Sequence, residues 1–331
     1  MTALLLTYRF RQYSGETDLP AIAHLINTCK TADHLDDFAS VDDLRHEFAS
    51  PDFDLEQDLR LWEDGHGELC AIAQCWVPKA TDVQNCFLWF SIRPDMRELG
   101  LETEVLTWAE ARVKRVAQEC NLPAQLRSGA RDDQADRLHL LNQHGFRVDR
   151  YFYRMARSLN EPIPEPELPA GFVVRPLQGT TEAAAWVEMF NQTFIDHWNF
   201  HALTVEDRTH WMEDSTYIPE LDLVAVAPDG TLAAFCYNII PTHENDRTGR
   251  KEGWIGDLGT RRGFRRMGLG RAMLLTGMLA LKAKGMDTAL LGVDSENPSG
   301  ALNLYQSVGF YKRYTFVSQV KTGESGVGDG M

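Results

Sequence analysis

The 331-residue sequence has no run approaching the ~18 consecutive apolar residues that a membrane-crossing helix needs. The short apolar run Leu4-Leu5-Leu6 has no basic flank before it and no small-residue cleavage site after it, so it does not match a secretion signal. Positive charge is scarce: 33 Lys and Arg stand against 48 Asp and Glu, a net charge of −15. That excludes nucleic acid as the main partner, because binding a phosphate backbone relies on Lys and Arg, and it argues equally against an anionic membrane surface. The six cysteines (Cys29, Cys70, Cys75, Cys86, Cys120 and Cys236) form no C-x-x-C pair and are too dispersed for a zinc site. They read as reduced, mostly buried thiols of a cytoplasmic protein, with no bound metal. The hydrophobic fraction of 44% and charged fraction of 24% exclude global disorder, collagen and low-complexity fibre.

Two segments of similar plan are present. Arg11 matches Arg175 and Asn27 matches Asn191 at an offset of 164, Gly65 matches Gly230 at 165, and Gly145-Phe146 matches Gly309-Phe310 at 164. Arg97-x-x-Gly100 matches Arg265-x-x-Gly268 at 168. A persistent offset near half the chain length predicts two copies of one domain rather than a solenoid. The run 160–171, NEPIPEPELPAG, holds four prolines and predicts a stiff linker. The expected organisation is a first domain over 1–158, a linker over 159–170, a second domain over 171–320 and a flexible tail over 321–331.

In the second copy the pattern predicts strands at 172–175, 221–227, 231–240, 253–260, 288–293 and 311–317. Pro228-Asp229-Gly230 marks a hairpin between the second and third. Helices are predicted at 181–194, at 269–284 with Leu274, Leu275, Met278 and Leu281 on one stripe, and at 298–308 with Asn297 as N-cap and Pro298 at the first position. The fold class is α/β, a mixed sheet with helices.

The segment richest in chemistry is 261–271, RRGFRRMGLGR, with five arginines and no acid. It follows a strand and opens a helix. Glycine allows close backbone approach, and the first helical N–H groups and the helix dipole favour an anion there, so the segment reads as a phosphate or pyrophosphate site. Five clustered like charges in an acidic chain call for an anionic partner. No G-x-x-x-x-G-K-[ST] loop is present, and the long Arg-rich loop is wrong for the tight turn of a dinucleotide fingerprint.

Arg265-Arg266-Met267-Gly268-Leu269-Gly270 resembles the [RQ]-x-x-G-x-[GA] acetyl-CoA motif of the GNAT acyltransferase superfamily. Asn297-Pro298-Ser299-Gly300-Ala301-Leu302-Asn303-Leu304-Tyr305 followed by Gly309-Phe310 resembles that family's second signature, and the order of elements agrees. The tandem arrangement is similar in architecture to mycothiol synthase and related two-domain members. The resemblance implies two GNAT-like domains, each a splayed, mostly antiparallel sheet flanked by helices. It also implies an N-acetyltransferase that moves an acetyl group from acetyl-CoA to the primary amine of a small molecule or peptide by direct attack. A non-catalytic acyl-CoA-binding or sensor protein is the alternative. By the same resemblance, Leu258, Gly259 and Thr260 would bind the pantetheine arm and thioester through main chain. Arg265, Arg266, Met267, Gly268, Leu269, Gly270 and Arg271 would wrap the pyrophosphate, and Asn297 would contact the pantetheine.

Tyr305 is the candidate general acid for the leaving thiolate. Ala301, Leu304, Tyr305 and Val308 also form an i, i+3, i+4, i+7 stripe, so a core role stays open beside it, as does plain helix capping for Asn297. Asp257 is the candidate general base, with Glu244, Glu252 or a water chain as alternatives. Strand alternation puts Asp257 on the face of Ile255, opposite Trp254, Gly256 and Leu258, which would point it away from the substrate. His197 and His201, four apart, would share a face on a helix, but no third metal ligand is evident; with Trp198 and Phe200 they suggest the lining of an acceptor pocket.

In the first copy, the equivalent stretch 91–102, SIRPDMRELGLE, keeps Arg97 and Gly100, but Glu102 replaces the last motif glycine, and two bases against three acids give net −1. A carboxylate there disfavours a polyanion, so this domain is expected to be degenerate, with a structural or substrate-shaping role. The two copies suggest a monomer acting as an internal pseudo-dimer, or a homodimer.

Overall fold

The computed structural model describes residues 8–80, 82–297 and 299–322. The first elements are β1 (Arg9–Arg11), α1 (Leu19–Ala32), α2 (Val41–Phe48), α3 (Leu55–Asp58), β2 (Leu59–Glu63) and β3 (Leu69–Trp76). After them come β4 (Gln84–Ile92), α4 (Leu101–Cys120), β5 (Ala124–Arg131), α5 (Ala135–Gln143) and β6 (Arg147–Ser158). The run 162–169 forms neither helix nor strand. Next are β7 (Val173–Pro176), α6 (Ala183–Phe194), α7 (Val205–Met212), β8 (Asp222–Val226), β9 (Leu232–Ile239) and α8 (Thr242–Thr248). The chain closes with β10 (Glu252–Thr260), α9 (Leu269–Ala283), β11 (Thr288–Asp294), α10 (Ala301–Ser307) and β12 (Tyr311–Thr322).

Two compact units result. One takes the described residues of Met1–Arg150 and Val317–Met331; the other is Tyr151–Phe316. The division follows Arg150, ahead of the proline-rich run, because β6 from Phe152 to Ser158 pairs antiparallel with β11. The closing strand likewise reaches Thr322, and the remainder of the 321–331 tail lies outside the described residues, as does Leu4-Leu5-Leu6. Among the described residues no helix is long and apolar enough to cross a membrane.

Within the first unit the strands run β1-β2-β3-β4-β5, antiparallel except for the parallel pair β4 and β5. Within the second they run β7-β8-β9-β10-β11-β6, antiparallel except for β10 and β11. The repeat seen in the sequence is held by the same hydrogen bonds in each unit. Asn27 donates to the Ala39 carbonyl at 2.8 Å and accepts from its N–H at 2.9 Å; Asn191 does the same to Leu203, at 2.9 Å in both directions. Arg11 pairs with Asp18, and Arg175 with Glu182. Ser40 and Asp43 form a capping box on α2, as Thr204 and Asp207 do on α7. These side chains tie loops to helices where backbone groups would otherwise lack partners.

In the second unit the sheet is covered on both faces. Leu274, Leu275, Met278 and Leu281 of α9 join Cys236, Ile255 and Leu291 in one core cluster, and Trp186 and Met189 of α6 pack with Phe235 in another. The α9 contact is close enough to require glycine: a Cβ on Gly277 would lie 2.6 Å from Cys236 Sγ. Five of the six free cysteines are buried and Cys120 is exposed. The predicted strands and the helix at 269–284 are found to within a few residues, whereas α7 and α8 had no counterpart in the sequence reading.

Asn27→Ala and Asn191→Ala each strand a partly buried loop N–H and C=O. Each should cost about 1–3 kcal/mol of stability in urea unfolding, and two losses below 0.5 kcal/mol (roughly the scatter of surface substitutions) would show that the repeated bridge is dispensable.

Candidate active site

Strands β10 and β11 pair only from Glu252/Thr288 to Ile255/Leu291. Beyond that point β10 stays on β9 as far as Thr260/Ala234, and β11 stays on β6 through Asp294/Phe152. The two neighbours therefore part, and main-chain groups of β10 beyond Ile255 lose their ladder partner on that side.

The parting coincides with a β-bulge. Ile255 opposes Asn238 and Asp257 opposes Tyr237, leaving Gly256 as the extra residue. Directly opposed residues share a sheet face, so Asp257 lies on the face of Tyr237 and Trp254, and Ile255 on the other. The alternation expected from sequence is thus overturned: the inserted residue flips Asp257 away from Ile255, while Leu258 remains opposite to it. Asp257 is partly accessible, yet burial of its carboxyl dominates and raises its pKa to about 6, with Arg208 the charge that opposes the rise.

Tyr305, on α10, is buried against Phe310 with ring centroids 6.1 Å apart. Burial, then the charges of Cys236 and Asp257, push its phenol up, so it stays protonated at neutral pH. The two candidate catalytic groups lie within electrostatic range of each other. Tyr305 is also part of the core, as the core reading of the stripe expected.

The loop before α9 turns through Arg266 at φ 66° and Gly268 at φ 90°, the left-handed conformation that glycine supplies cheaply. Gly268 caps α9 without a side-chain bond, and the first turn carries no acid. Arg266 N–H meets no acceptor among the described residues. The arginines are less free than their number suggested. Arg261 bonds Glu188 at 2.6 Å, Arg262 pairs with Asp196, and Arg265 donates to the main-chain carbonyls of Thr193 (2.8 Å) and Thr260 (3.3 Å). Much of the cluster is neutralised within the chain, so it does not by itself demand an anionic partner. Arg271 donates to Ser307 at 2.9 Å.

Asn297 does not cap a helix starting at Pro298. Its Oδ1 accepts from Ser299 N at 2.8 Å, α10 starts at Ala301 with Gly300 as N-cap, and Pro298 is outside the described residues. Glu252 lies at the far end of β10, paired with Arg313 at 2.7 Å, and Glu244 sits on α8, whose Asn245 bonds the Glu252 main chain. His197 follows the end of α6 and meets Phe194 edge-on with ring centroids 4.6 Å apart, and it and His201 share no helix; burial, then Arg265, lower its pKa. No metal-binding group of three or more His, Cys, Asp or Glu occurs among the described residues.

The first unit repeats the geometry but fills it. Strand β4 leaves β5 after Phe87/Arg127. The carbonyls of Leu88, Phe90 and Ile92 then receive Ser128 Oγ at 3.0 Å, Arg137 Nη1 at 3.1 Å and Arg97 Nε at 3.0 Å. Glu98, at φ 61°, donates its N–H to Glu102 at 2.7 Å. Glu102 is the counterpart of Gly270, so this loop carries its own carboxylate where the second leaves Arg266 N–H unmet. In the second unit only the Arg265 contact to Thr260 is repeated; no side-chain donor reaches the carbonyls of Gly256 or Leu258 among the described residues.

Residues 183–310 match the model of the Acetyltransferase (GNAT) family. Over that segment the chain is similar to the GNAT acetyltransferases. The matched GNAT segment lies wholly in the second unit. A mycothiol acetyltransferase of Thermobispora bispora is 32% identical over 164 residues, 49% of this chain and 54% of that protein. The chain thus spans little more than half the length of that relative. A solved GCN5-related N-acetyltransferase from Sphaerobacter thermophilus is 26% identical, with 95% of each chain covered and a TM-score of 0.71. A tandem GNAT protein from the clavulanic acid biosynthesis pathway shares the fold at 14% identity and a TM-score of 0.68, covering 96% of this chain and 98% of its own.

The sequence reading of the GNAT unit missed Arg208, Tyr217, Asp222 and Tyr237, which surround the bulge face. The only available signal was the Thr204-x-x-Asp207 cap that starts α7.

Asp257 binds its proton more tightly in the fold than in the unfolded chain. It therefore favours folding at low pH and loses that contribution as pH rises through about 6. Asp257→Asn should accordingly be more stable than the parent at pH 8, by roughly 3 kcal/mol, with the gap narrowing below pH 6 and closing near pH 4. Denaturation midpoints that differ equally at both pH values would contradict the shift.

Proposed function

We propose that this chain is an acetyl-CoA-dependent N-acetyltransferase acting on the primary amine of a small molecule, with its working site in the second unit. The observation that carries this reading is the parting of β10 from β11 at a bulge, with Asp257 and Tyr305 within electrostatic range of each other, beside a helix N-terminus that has no side-chain cap. The names of the relatives support a small-molecule acceptor.

In this reading the main chain of Leu258, Gly259 and Thr260 receives the pantetheine and the thioester. The loop and first turn from Arg265 through Arg266, Met267, Gly268, Leu269 and Gly270 to Arg271 hold the pyrophosphate on N–H groups, as a helix N-terminus does for anions. Asn297 borders the pantetheine. An amine is protonated at neutral pH, and Asp257 takes its proton. The freed lone pair attacks the thioester carbon, and preset N–H donors steady the oxyanion. As the oxyanion collapses and the carbon–sulfur bond breaks, Tyr305 gives its proton to the thiolate, and the proton lost by the new amide nitrogen restores the phenol. Its raised proton affinity suits a donor that must not ionise early.

Free-thiol release from acetyl-CoA across a panel of amines tests the proposal. Turnover should depend on one acceptor class and fall about 100-fold in Tyr305→Phe. kcat/KM should rise through pH about 6 to a plateau, and Asp257→Asn should abolish that limb. Coenzyme binding without thiol release for any amine would instead favour a non-catalytic acyl-CoA-binding protein.

A second expectation concerns stoichiometry. Calorimetry should count one coenzyme A per chain, because Glu102, Ser128 and Arg137 occupy the first unit's opening. Gly270→Glu copies the first unit's residue into a position where a Cβ meets nothing closer than 3.5 Å, so the variant should fold yet lose that site. Two equivalents in the parent, or undiminished binding in the variant, would refute the filled-loop account.

A further inference from the structure

A cross-strand row runs over one face of the second unit. Tyr237 on β9 directly opposes Asp222 on β8 on one side and Asp257 on β10 on the other. Opposed residues share a face, with Cβ atoms about 5 Å apart, so two carboxylates flank a central tyrosine. Arg208 of α7 lies over the centre of this row. Its guanidinium carbon is 3.9 Å from the Trp186 ring centroid and 5.4 Å from that of Tyr237. Arg208 and Asp222 are both fully buried, and Arg208 Nη2 donates to Asp222 Oδ2, which also accepts from the Tyr217 hydroxyl at 2.7 Å. The Nε and Nη1 of Arg208 are buried without a partner.

An ion pair alone does not account for this arrangement. Replacing a buried pair by apolar side chains is often neutral or stabilising, and here two donors are left unmet at further cost. Asp257 stands about one strand spacing from the middle of the row and Asp222 about two spacings from Asp257. The cation over the centre is therefore nearer to Asp257 than its counter-ion is, and its field there is only partly cancelled.

We propose that Arg208, moored by Asp222 and Tyr217 over Tyr237, is a positioning residue that holds the proton affinity of Asp257 in the range a general base needs. This rests on the reading of Asp257 as the base. The groups facing Asp257 are Tyr237 and, through the sheet, Cys236 from β9, Asp222 from β8, Arg208 from α7 and Tyr305 from α10, with Tyr217 and Asp214 beyond; Arg208 is the cation among them. Burial and Arg208 pull the carboxyl in opposite directions, burial the more strongly. Without the cation, Asp257 would hold its proton to higher pH and be a poorer acceptor near neutrality.

The test is the acid limb of kcat/KM against pH. Arg208→Gln should move the limb up by about one pH unit or more, and Asp222→Asn should move it down, because the cation then acts uncompensated. Arg208→Lys should leave it near the parent value. A merely structural pair would move both limbs the same way, or lower activity without moving either, and either result would overturn the proposal. Should Arg208→Gln fail to fold, the double variant Arg208→Met/Asp222→Leu strands no charge and should still move the limb up; an unmoved limb there counts against the proposal equally. Asp257→Asn separates the two readings. A limb that persists in it refutes Asp257 as base, whereas a limb that vanishes there yet ignores Arg208 refutes only the role given to Arg208.

Discussion

The site depends on one failure of pairing. Two parallel neighbours, β10 and β11, stop bonding after Ile255 and Leu291 while each remains held by its outer partner. A sheet that let go of one strand entirely would expose an edge, with the pairing hazard that edges carry. Here the outer ladders keep both strands in register, so the gap is a fixed wedge whose walls carry main-chain polar groups. The bulge at Gly256 lies at the mouth of the wedge and turns Asp257 to the opposite face from Ile255. Shape and chemistry thus come from the same irregularity, as is common where a strand serves a functional site.

Comparison of the two units shows what an opening of this kind requires. Both have the parted strands, the left-handed loop residue and the glycine-capped helix. They differ in who satisfies the exposed main chain. In the first unit Ser128, Arg137 and Glu102 do so from within, and Arg137 lies over the Phe90 ring at 3.6 Å. In the second no side-chain donor reaches the carbonyls of Gly256 or Leu258 among the described residues. On the proposed function, the unit with fewer internal partners is the one that receives the ligand.

Much of this was legible in the sequence. The Arg/Gly loop, the stripe of α9, the apolar β11 and the duplication all rest on local chemistry that a linear reading sees. The site face did not. Alternation assumes a regular strand, and nothing in the run Trp254-Ile255-Gly256-Asp257 announces that Gly256 will be the extra residue. Helix α7 went unseen because its apolar pattern is weak, and with it Arg208. The boundary at the prolines was misplaced because a linker's stiffness says nothing about which strands pair across it: Phe152 to Ser158 lie before the run and bond β11. The arginines were read as free because their partners, Glu188 and Asp196, are distant in sequence.

The contrast between Glu102 and Gly270 has a genetic consequence. A glycine codon and a glutamate codon can differ by one base, and that base decides whether the loop amide of residue 98 or 266 is sated or waiting. After a duplication, one copy of such a domain can have that loop amide satisfied from within in a single mutational event that leaves its architecture untouched. A fold with this property can specialise its halves quickly, because the scaffold is not at stake when the ligand is given up.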